Sequence, residues 1–191
     1  MTANKDVQQI GTDPDTFERF YREHLGAVER FVARRVDDPH TAADLVADTF
    51  LAVIESAGRF DPSSGSVRAW VFGIARNTVL MEHRQRSRRT RATDRAGRRR
   101  DLQPDAIENA TARLDAQRQA RDLYRRLDTL SAGPRAVFEL VVLDELSVAE
   151  AAAVLRIKPG TPRVRLHRAH QALSKGGTAL ARINDPGRNE A

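Results

Sequence analysis

The chain has 191 residues, of which 40% are hydrophobic and 30% are charged, a balance that suits one medium-sized or two small globular domains. It contains no cysteine and no apolar run of bilayer length, which excludes disulfides, thiolate metal sites and membrane insertion. The net charge of +6 is unevenly distributed, because residues 84–100 hold nine arginines against the single Asp94. These features predict a soluble intracellular protein whose acidic and basic segments have different partners.

The N-terminal half has the pattern of three helices. We expect residues 1–13 to be disordered, and residues 14–36 to form an amphipathic helix because apolar side chains recur at three-to-four spacing. A second helix is predicted at about residues 41–57. A third is predicted at about residues 66–88, after a loop rich in Gly, Pro and Ser. Residues 14–88 are therefore predicted to form one helical domain.

The remainder of the chain divides into a linker, a second domain and a tail. Residues 89–113 are rich in Arg and poor in apolar residues, so they are predicted to be a flexible basic linker. Helical periodicity resumes at residue 114, which predicts a second domain over residues 114–176 and a loose tail over 177–191. No segment alternates with period two. The predicted fold is all-α, with two small helical domains joined by the basic linker.

A helix-turn-helix is predicted at roughly residues 147–173. Ser147 and Glu150 have capping-box spacing before a short alanine-rich helix, and a basic helix follows from about Thr161 to Ser174. In this second helix Val164, Leu166 and Leu173 are expected to face the core. Arg163, His167 and Arg168 are then expected to face outward, as in a recognition helix. The alternative is a basic, solvated helix that closes a helical bundle.

Several stretches resemble a known family when they are taken together. Asp44–Leu51 reads DLVADTFL and is similar to a polymerase-binding helix, and Val67–Asn77 reads VRAWVFGIARN and resembles a promoter-melting segment. Phe17–His24 resembles the opening of the same domain of that family, and in the C-terminal half residues 160–169 resemble the family's recognition helix. The family is that of the bacterial extracytoplasmic-function (ECF) sigma factors, small two-domain members of the housekeeping-type sigma family. The resemblance covers roughly residues 15–90 and 115–175.

The resemblance implies a transcription initiation factor and no enzyme activity. Such a factor binds core RNA polymerase at the β′ clamp helices and the β flap, recognises the −35 and −10 promoter elements, and promotes DNA opening. An anti-sigma factor is a further expected partner, and the expected location is the bacterial cytoplasm, at the nucleoid when in holoenzyme. No cofactor, metal or small-molecule substrate is expected, since the five histidines lack metal-ligand spacing.

The resemblance also implies three sets of site residues. The polymerase-binding set is Asp44, Leu45, Asp48, Phe50 and Leu51. The set for −10 recognition and melting is Ser64, Arg68, Trp70, Arg76 and Asn77. The −35 set is Lys158, Thr161, Arg163, Val164, His167 and Arg168. Leu45, Phe50 and Trp70 are also candidates for the hydrophobic core, and for Phe50 and Trp70 the core is the favoured interpretation.

Departures from the family pattern fall mainly in the second domain. Pro162 stands where Val is usual, Val164 where Ser is common, and His170 where Arg is found. These differences leave the preferred −35 sequence open. A stand-alone DNA-binding regulator is the alternative function, and it differs from a sigma factor in having no need of Asp44–Leu51.

Overall fold

The computed structural model describes residues 4–94, 123 and 126–174. Its α-helices are α1 (Asn4–Val7), α2 (Pro14–Ala33), α3 (Pro39–Ser56), α4 (Val67–Asp94), α5 (Ala132–Phe138), α6 (Val148–Leu155) and α7 (Thr161–Ser174). Two 3-10 turns, Ala57–Arg59 and Pro62–Ser64, precede α4, and a π-helical turn, Glu139–Leu143, continues α5. These described residues contain no strand, which agrees with the all-α prediction. None of their helices combines the length and apolar character needed to cross a membrane.

Helices α2 and α3 begin with the same N-terminal capping arrangement. An aspartate, Asp13 or Asp38, caps the helix through its side chain, and a proline occupies the first helical turn. Asp38 accepts a hydrogen bond of 2.7 Å from the backbone N–H of Thr41. The proline lacks an N–H that would otherwise need a partner, and its fixed φ suits the helix. These signals explain why both helix starts lie within two residues of the predicted positions.

The N-terminal residues differ from the sequence prediction. Disorder was expected over residues 1–13, but the described residues 4–13 contain α1 and contribute two buried side chains, Val7 and Ile10. Val7 and Ile10 are three residues apart, so a single helical turn directs both toward the core. Gln8 Nε2 also donates a hydrogen bond of 3.1 Å to the carbonyl oxygen of Phe60. The expectation of disorder is therefore wrong for residues 4–13.

Helix α4 extends beyond its predicted end at residue 88. The helix continues to Asp94, because the arginine-rich sequence has good intrinsic helix propensity. The rest of the predicted linker, residues 95–113, lies outside the described residues, as does the tail at 177–191. Most of the segment from residue 114, where helical periodicity resumes, to residue 130 also lies outside them, and residues 126–128 are helical.

We call residues 4–94 the N-terminal unit and residues 126–174 the C-terminal unit. In the N-terminal unit, α2, α3 and α4 pack around buried aromatic and β-branched side chains, and the rings of Phe31 and Phe72 meet edge-to-face at 5.3 Å. Four C-terminal side chains join this same core: Leu140, Leu146, Ala151 and Val154. A second, smaller core in the C-terminal unit contains Leu127, Phe138, Ala169 and Leu173. The two units are thus packed against one another.

A cluster of charged side chains runs along the boundary between the units. Asp144 of the C-terminal unit has a fully buried carboxylate that is ion-paired with both Arg34 and Arg35 of the N-terminal unit. Arg35 also pairs with Glu139 at 3.2 Å. We call Arg34, Arg35, Glu139 and Asp144 the interdomain seam. A buried carboxylate requires such partners, and in the docked arrangement the two arginines supply them.

Candidate nucleic-acid interface

Helices α6 and α7 form the predicted helix-turn-helix. The Ser147 side chain accepts a hydrogen bond from the Glu150 N–H, and the Glu150 side chain accepts one from the Ser147 N–H, so the predicted capping box is confirmed. Arg156 ends α6 in the left-handed conformation, with a φ of 53°. This residue turns the chain toward α7, which begins at Thr161.

One side of α7 packs on the C-terminal unit and the other is open to solvent. Pro162, Ala169 and Leu173 are buried on the packed side. Most of the predicted −35 residues are exposed: Lys158, Arg163, Val164, His167 and Arg168. Thr161 is half-buried and donates its N–H to the Lys158 carbonyl oxygen at 2.9 Å, so it helps to form the turn. The exposed side is basic, as a nucleic-acid-facing helix needs to be.

The burial of Val164 differs from the prediction. Leu173 is buried and Leu166 packs against the second core, as expected of core-facing residues. Val164 is instead 52% exposed. Successive residues of an α-helix are rotated by roughly 100°, which puts Val164 roughly 180° from Leu173. The prediction that it faces the core is therefore wrong, while its inclusion in the −35 set remains consistent with its position.

The loop before α4 is organised by Asp61. Its carboxylate accepts hydrogen bonds from the Ser63 N–H at 2.9 Å and from the Ser64 hydroxyl at 2.8 Å. Hydrogen bonds from Ser63 and Ser64 lower the pKa of Asp61 and keep the side chain ionised. Gly65 follows with a φ of 145°, a conformation that other residues rarely adopt. The loop therefore has a defined shape that carries Ser64 to the start of α4.

A cleft of 490 Å³ lies between this loop, α4 and the end of α6. Four of the five predicted −10 residues line it: Ser64, Trp70, Arg76 and Asn77. Trp70 is half-buried, with its ring 5.1 Å from that of Phe60, so it supports the core and also forms part of the cleft wall. The C-terminal unit contributes residues 153–156 to the opposite wall.

Arginines dominate the charge of this cleft. Burial lowers the pKa of Arg76, and the positive charges of Arg35, Arg156 and Arg84 lower it further. Arg59 also lines the cleft. Asp61 lines it too, but the Asp61 carboxylate is already hydrogen-bonded to Ser64 within its own loop. Clustered guanidinium groups repel one another, and an anion such as a phosphate relieves that repulsion. The cleft is thus suited to a polyanionic strand.

Arg68 does not join the other −10 residues. Its Nη2 donates a hydrogen bond of 2.8 Å to the Asp144 carbonyl oxygen, at the seam. Two residues nearer the loop, the Ser66 hydroxyl donates to the Glu150 carboxylate at 2.7 Å. The docked C-terminal unit therefore engages the beginning of α4, and Arg68 is occupied by a protein contact.

The predicted polymerase-binding residues separate into exposed and buried groups. Asp44, Asp48 and Leu51 are exposed, and Leu51 has 57% of its surface open. Leu45 and Phe50 are buried in the first core, and the Phe50 ring meets Tyr21 at 4.6 Å. Both residues therefore pack in the core, where Phe50 offers little surface to a partner, while Leu45 also lines a groove between α3 and α4. The polymerase-binding set stays a prediction, of which three residues are exposed.

The sequence analysis missed Met81, which is 68% exposed. Met81 and Leu51 line the same 690 Å³ groove between α3 and α4, together with Asp48 and Glu55. An apolar residue out of phase with the buried face of α4 is the signal that would have found it. We call this the α3–α4 groove. Exposed apolar side chains with a polar rim are a feature of protein-binding surfaces.

The seam residues were also missed, because no local pattern links Arg34 and Arg35 to an aspartate more than 100 positions away. Within the described part of the chain, no three His, Asp or Glu side chains lie close enough together to hold a metal ion. In the described residues the arrangement offers two basic surfaces, the cleft and α7, and an apolar groove.

Comparison with family models gives two matches. Residues 20–89 match Sigma-70 region 2, and residues 120–173 match Sigma-70 region 4. The first match contains the α3–α4 groove and most of the cleft, and the second contains the helix-turn-helix. Together they cover more than half of the chain. Proteins of this family are transcription initiation factors rather than catalytic enzymes.

Curated relatives agree with these matches. The chain is 33% identical over 159 residues to the ECF RNA polymerase sigma factor SigE of Mycolicibacterium smegmatis, covering 83% of this chain and 60% of that protein. It is 31% identical to the RNA polymerase sigma factor CarQ of Myxococcus xanthus, covering 83% of this chain and 87% of CarQ. It is 32% identical to SigL of Mycobacterium tuberculosis, covering 80% and 84%.

Solved structures support the same fold. The structure of CnrH in complex with the cytosolic domain of CnrY has a TM-score of 0.66 at 23% identity and covers 92% of this chain and 96% of that one. The sigma factor RpoE of Bartonella quintana, in complex with the anti-sigma factor NepR, has a TM-score of 0.62 at 24% identity, covering 83% and 94%. On the two region matches and these relatives, the chain belongs to the ECF family of RNA polymerase sigma factors.

Proposed function

We propose that this sigma factor uses three surfaces in sequence: the α3–α4 groove to bind core polymerase, α7 to read the −35 element, and the arginine-lined cleft to hold the melted −10 strand. The observation that carries the proposal is the cleft itself. Four predicted −10 residues line it, and Arg76 is one of them. The charges that act on Arg76 are those of other arginines. A DNA-binding regulator that only docks on duplex DNA has no need of such a cleft beside a helix-turn-helix.

Core polymerase is proposed to bind across α3 and the adjoining part of α4. Exposed Asp44 and Asp48 give this side an acidic character, which suits the basic side of a partner such as the β′ clamp helices. Leu51 and Met81 supply apolar contact at the centre of the same region. The C-terminal unit is proposed to contact the β flap, as family membership implies.

The cleft is proposed to act on DNA by holding an unstacked base. Unstacking costs a few kcal/mol per step, and stacking and pocket contacts offset that cost. Asn77 is exposed and has both a donor and an acceptor for a base edge, and Arg76 offers a guanidinium to the backbone. Trp70 provides an aromatic wall. Arg68 adds a further phosphate contact once the Asp144 carbonyl oxygen releases it.

Recognition of −35 DNA is proposed for the exposed side of α7. Arg163, His167 and Arg168 are exposed within its first two turns, the part of a recognition helix that meets base edges and phosphates. Lys158 lies in the preceding turn and suits a phosphate contact. This surface directs the holoenzyme to the promoter, and the cleft then promotes opening of the DNA.

Control by an anti-sigma factor is also proposed. Two structural neighbours were solved in complex with another protein, an anti-sigma factor in the RpoE structure. We infer that this chain acts in the bacterial cytoplasm, as part of the holoenzyme at the nucleoid. We also propose that it is related to the wider housekeeping-type sigma family.

The polymerase contact is tested by an Asp44→Arg, Asp48→Arg double variant. Core-polymerase pull-down and run-off transcription are expected to be strongly reduced, while circular dichroism stays that of the parent. Asp15→Arg, at another exposed carboxylate, is the matched control and is expected to transcribe normally. Normal transcription by the double variant would show that polymerase binds elsewhere.

The −35 contact is tested separately with Arg163→Ala. A lost base contact typically costs about 1–3 kcal/mol, so holoenzyme affinity for duplex promoter DNA is expected to fall by a factor of roughly 5 to 150. Arg22→Ala, an exposed arginine on α2, is the control. Unchanged affinity and promoter selectivity in the Arg163 variant would contradict the assignment.

A further inference from the structure

Val164 occupies an unusual place on α7. It is the fourth residue of the helix, 52% exposed, and roughly opposite Leu173 on the packed side. The side chains on either side of it are exposed and polar or basic: Arg163, His167, Arg168 and Gln171. A single exposed valine is ordinary on a protein surface. At the centre of the outward side of a recognition helix it has a specific consequence, because the first turns of such a helix meet base edges.

The chemistry of valine restricts what it can contact there. Its side chain has no donor or acceptor, so it leaves a polar base edge without a hydrogen-bond partner, and that costs free energy. In the major groove thymine alone among the four bases presents a methyl group. A branched side chain in a helix also has one strongly favoured rotamer, so little conformational entropy is lost when it packs against that methyl.

We propose that Val164 is a specificity-determining residue that packs on the C5-methyl group of a thymine in the −35 element. The inference rests on the proposed function, in which α7 binds −35 DNA. It adds that thymine is the preferred base at one position of that element. Val164 selects thymine by apolar contact, and the basic residues around it contact the backbone or other base positions.

The first experiment identifies the base. Holoenzyme assembled with the parent chain, and holoenzyme with Val164→Ser, each select from a duplex library whose −35 region is randomised. The parent is expected to enrich thymine at one position. The variant is expected to lose enrichment at that position alone, and Val164→Thr, which keeps one methyl group, is expected to retain part of it. Thymine enrichment that persists unchanged in Val164→Ser would overturn the proposal.

The second experiment removes only the methyl group. Deoxyuridine replaces the selected thymine, and equilibrium binding of both holoenzymes is measured on the two duplexes. One buried methyl or methylene group is worth about 0.8 kcal/mol, so the parent is expected to bind the deoxyuridine duplex about fourfold more weakly. Val164→Ser is expected to bind both duplexes equally. Deoxyuridine at another thymine of the same duplex is the control, and an equal loss in parent and variant would contradict the contact.

The two hypotheses fail in different ways. A holoenzyme that selects no −35 sequence at all contradicts both the proposed function of α7 and the role of Val164. Selection that depends on Arg163 but shows no dependence on a thymine methyl contradicts the role of Val164 alone. Because Val164 is exposed, replacement by serine is expected to leave thermal unfolding unchanged, which separates a lost contact from a lost fold.

Discussion

Arg35 Nη2 lies 2.8 Å from the Asp144 carboxylate and joins two units that are far apart in sequence. The Asp144 side chain is fully buried, and Arg34 pairs with its other oxygen. This aspartate also accepts a hydrogen bond from Arg68 through its carbonyl oxygen. One residue of the C-terminal unit thus holds three arginines of the N-terminal unit, including one that we assign to −10 DNA.

Asp144→Ala is expected to separate the two units. Removing one partner of a buried ion pair leaves uncompensated charge, which typically costs about 3–5 kcal/mol, and undocking avoids that cost by returning both arginines to water. The chain lacks cysteine, so Arg30→Cys and Gln171→Cys allow site-specific labelling for energy transfer. Transfer efficiency is expected to fall in the Asp144 variant. Asp128→Ala, which affects an exposed pair within the C-terminal unit, is the control, and equal efficiencies would contradict the seam.

Ser147→Ala is expected to destabilise α6 by about 1 kcal/mol, because the Glu150 N–H loses its capping partner. Thermal unfolding followed by circular dichroism measures the change. Ser131→Ala is a matched control, since Ser131 precedes α5 without a side-chain capping bond. A shift of the same size in both variants would mean that the capping box contributes nothing specific.

The capping box at Ser147 and the ion pair between Arg35 and Asp144 differ in how far the sequence predicts them. The capping box, the turn and the bounds of α7 depend on residues within a few positions of one another. Their pattern can therefore be recognised in the sequence without a structure. The pairing of Arg35 with Asp144 spans 109 positions and exists only because two units dock. The burial of Leu45 and Phe50 was ambiguous for a related reason: periodicity identifies an apolar side of α3, but packing against α2 and α4 decides which edge of it remains exposed.

Leu51→Ser and Met81→Ser are each expected to weaken binding to core polymerase by roughly tenfold, because burial of a large aliphatic side chain at an interface is worth about 1.5–3 kcal/mol. Their thermal unfolding is expected to match the parent, since both side chains are exposed. Binding is measured by titration of labelled sigma factor with core enzyme. Val164→Ser, a third exposed apolar site that does not line the groove, is expected to bind core normally. Normal core binding by both groove variants would remove the α3–α4 groove from the proposed interface.

Asn77→Ala is expected to impair promoter opening more than initial −35 binding. Asn77 lines the cleft and its side chain is exposed, so the variant loses a base-edge contact without loss of packing. Opening is measured by permanganate reactivity of −10 thymines, and initial binding by mobility shift at low temperature. Ser87→Ala, at an exposed position further along α4, is the control. Equal losses in the two assays would contradict the division between cleft and α7.

Acid is expected to loosen the junction at Glu150. Burial of Glu150 opposes its ionisation, but hydrogen bonds from Ser66 and Ser147 outweigh that effect and lower its pKa below the ordinary value of 4.5. A carboxyl whose folded-state pKa is depressed contributes stability that is fully present above the ordinary value and is lost as pH falls through the lower, folded-state value. Glu150→Gln keeps the shape but does not titrate, so it is expected to be less stable than the parent near neutral pH.

The difference in urea midpoint between parent and Glu150→Gln is therefore expected to shrink as pH falls from about 7 to about 3. Other aspartates lose stability in acid in both proteins, so their effect cancels in the comparison. Ser66→Ala removes one of the donors, the one that reaches across from the N-terminal unit, and is expected to reproduce part of the difference at neutral pH. A difference that stays constant over the whole pH range would show that the carboxylate charge of Glu150 plays no part in joining α4 to the helix-turn-helix.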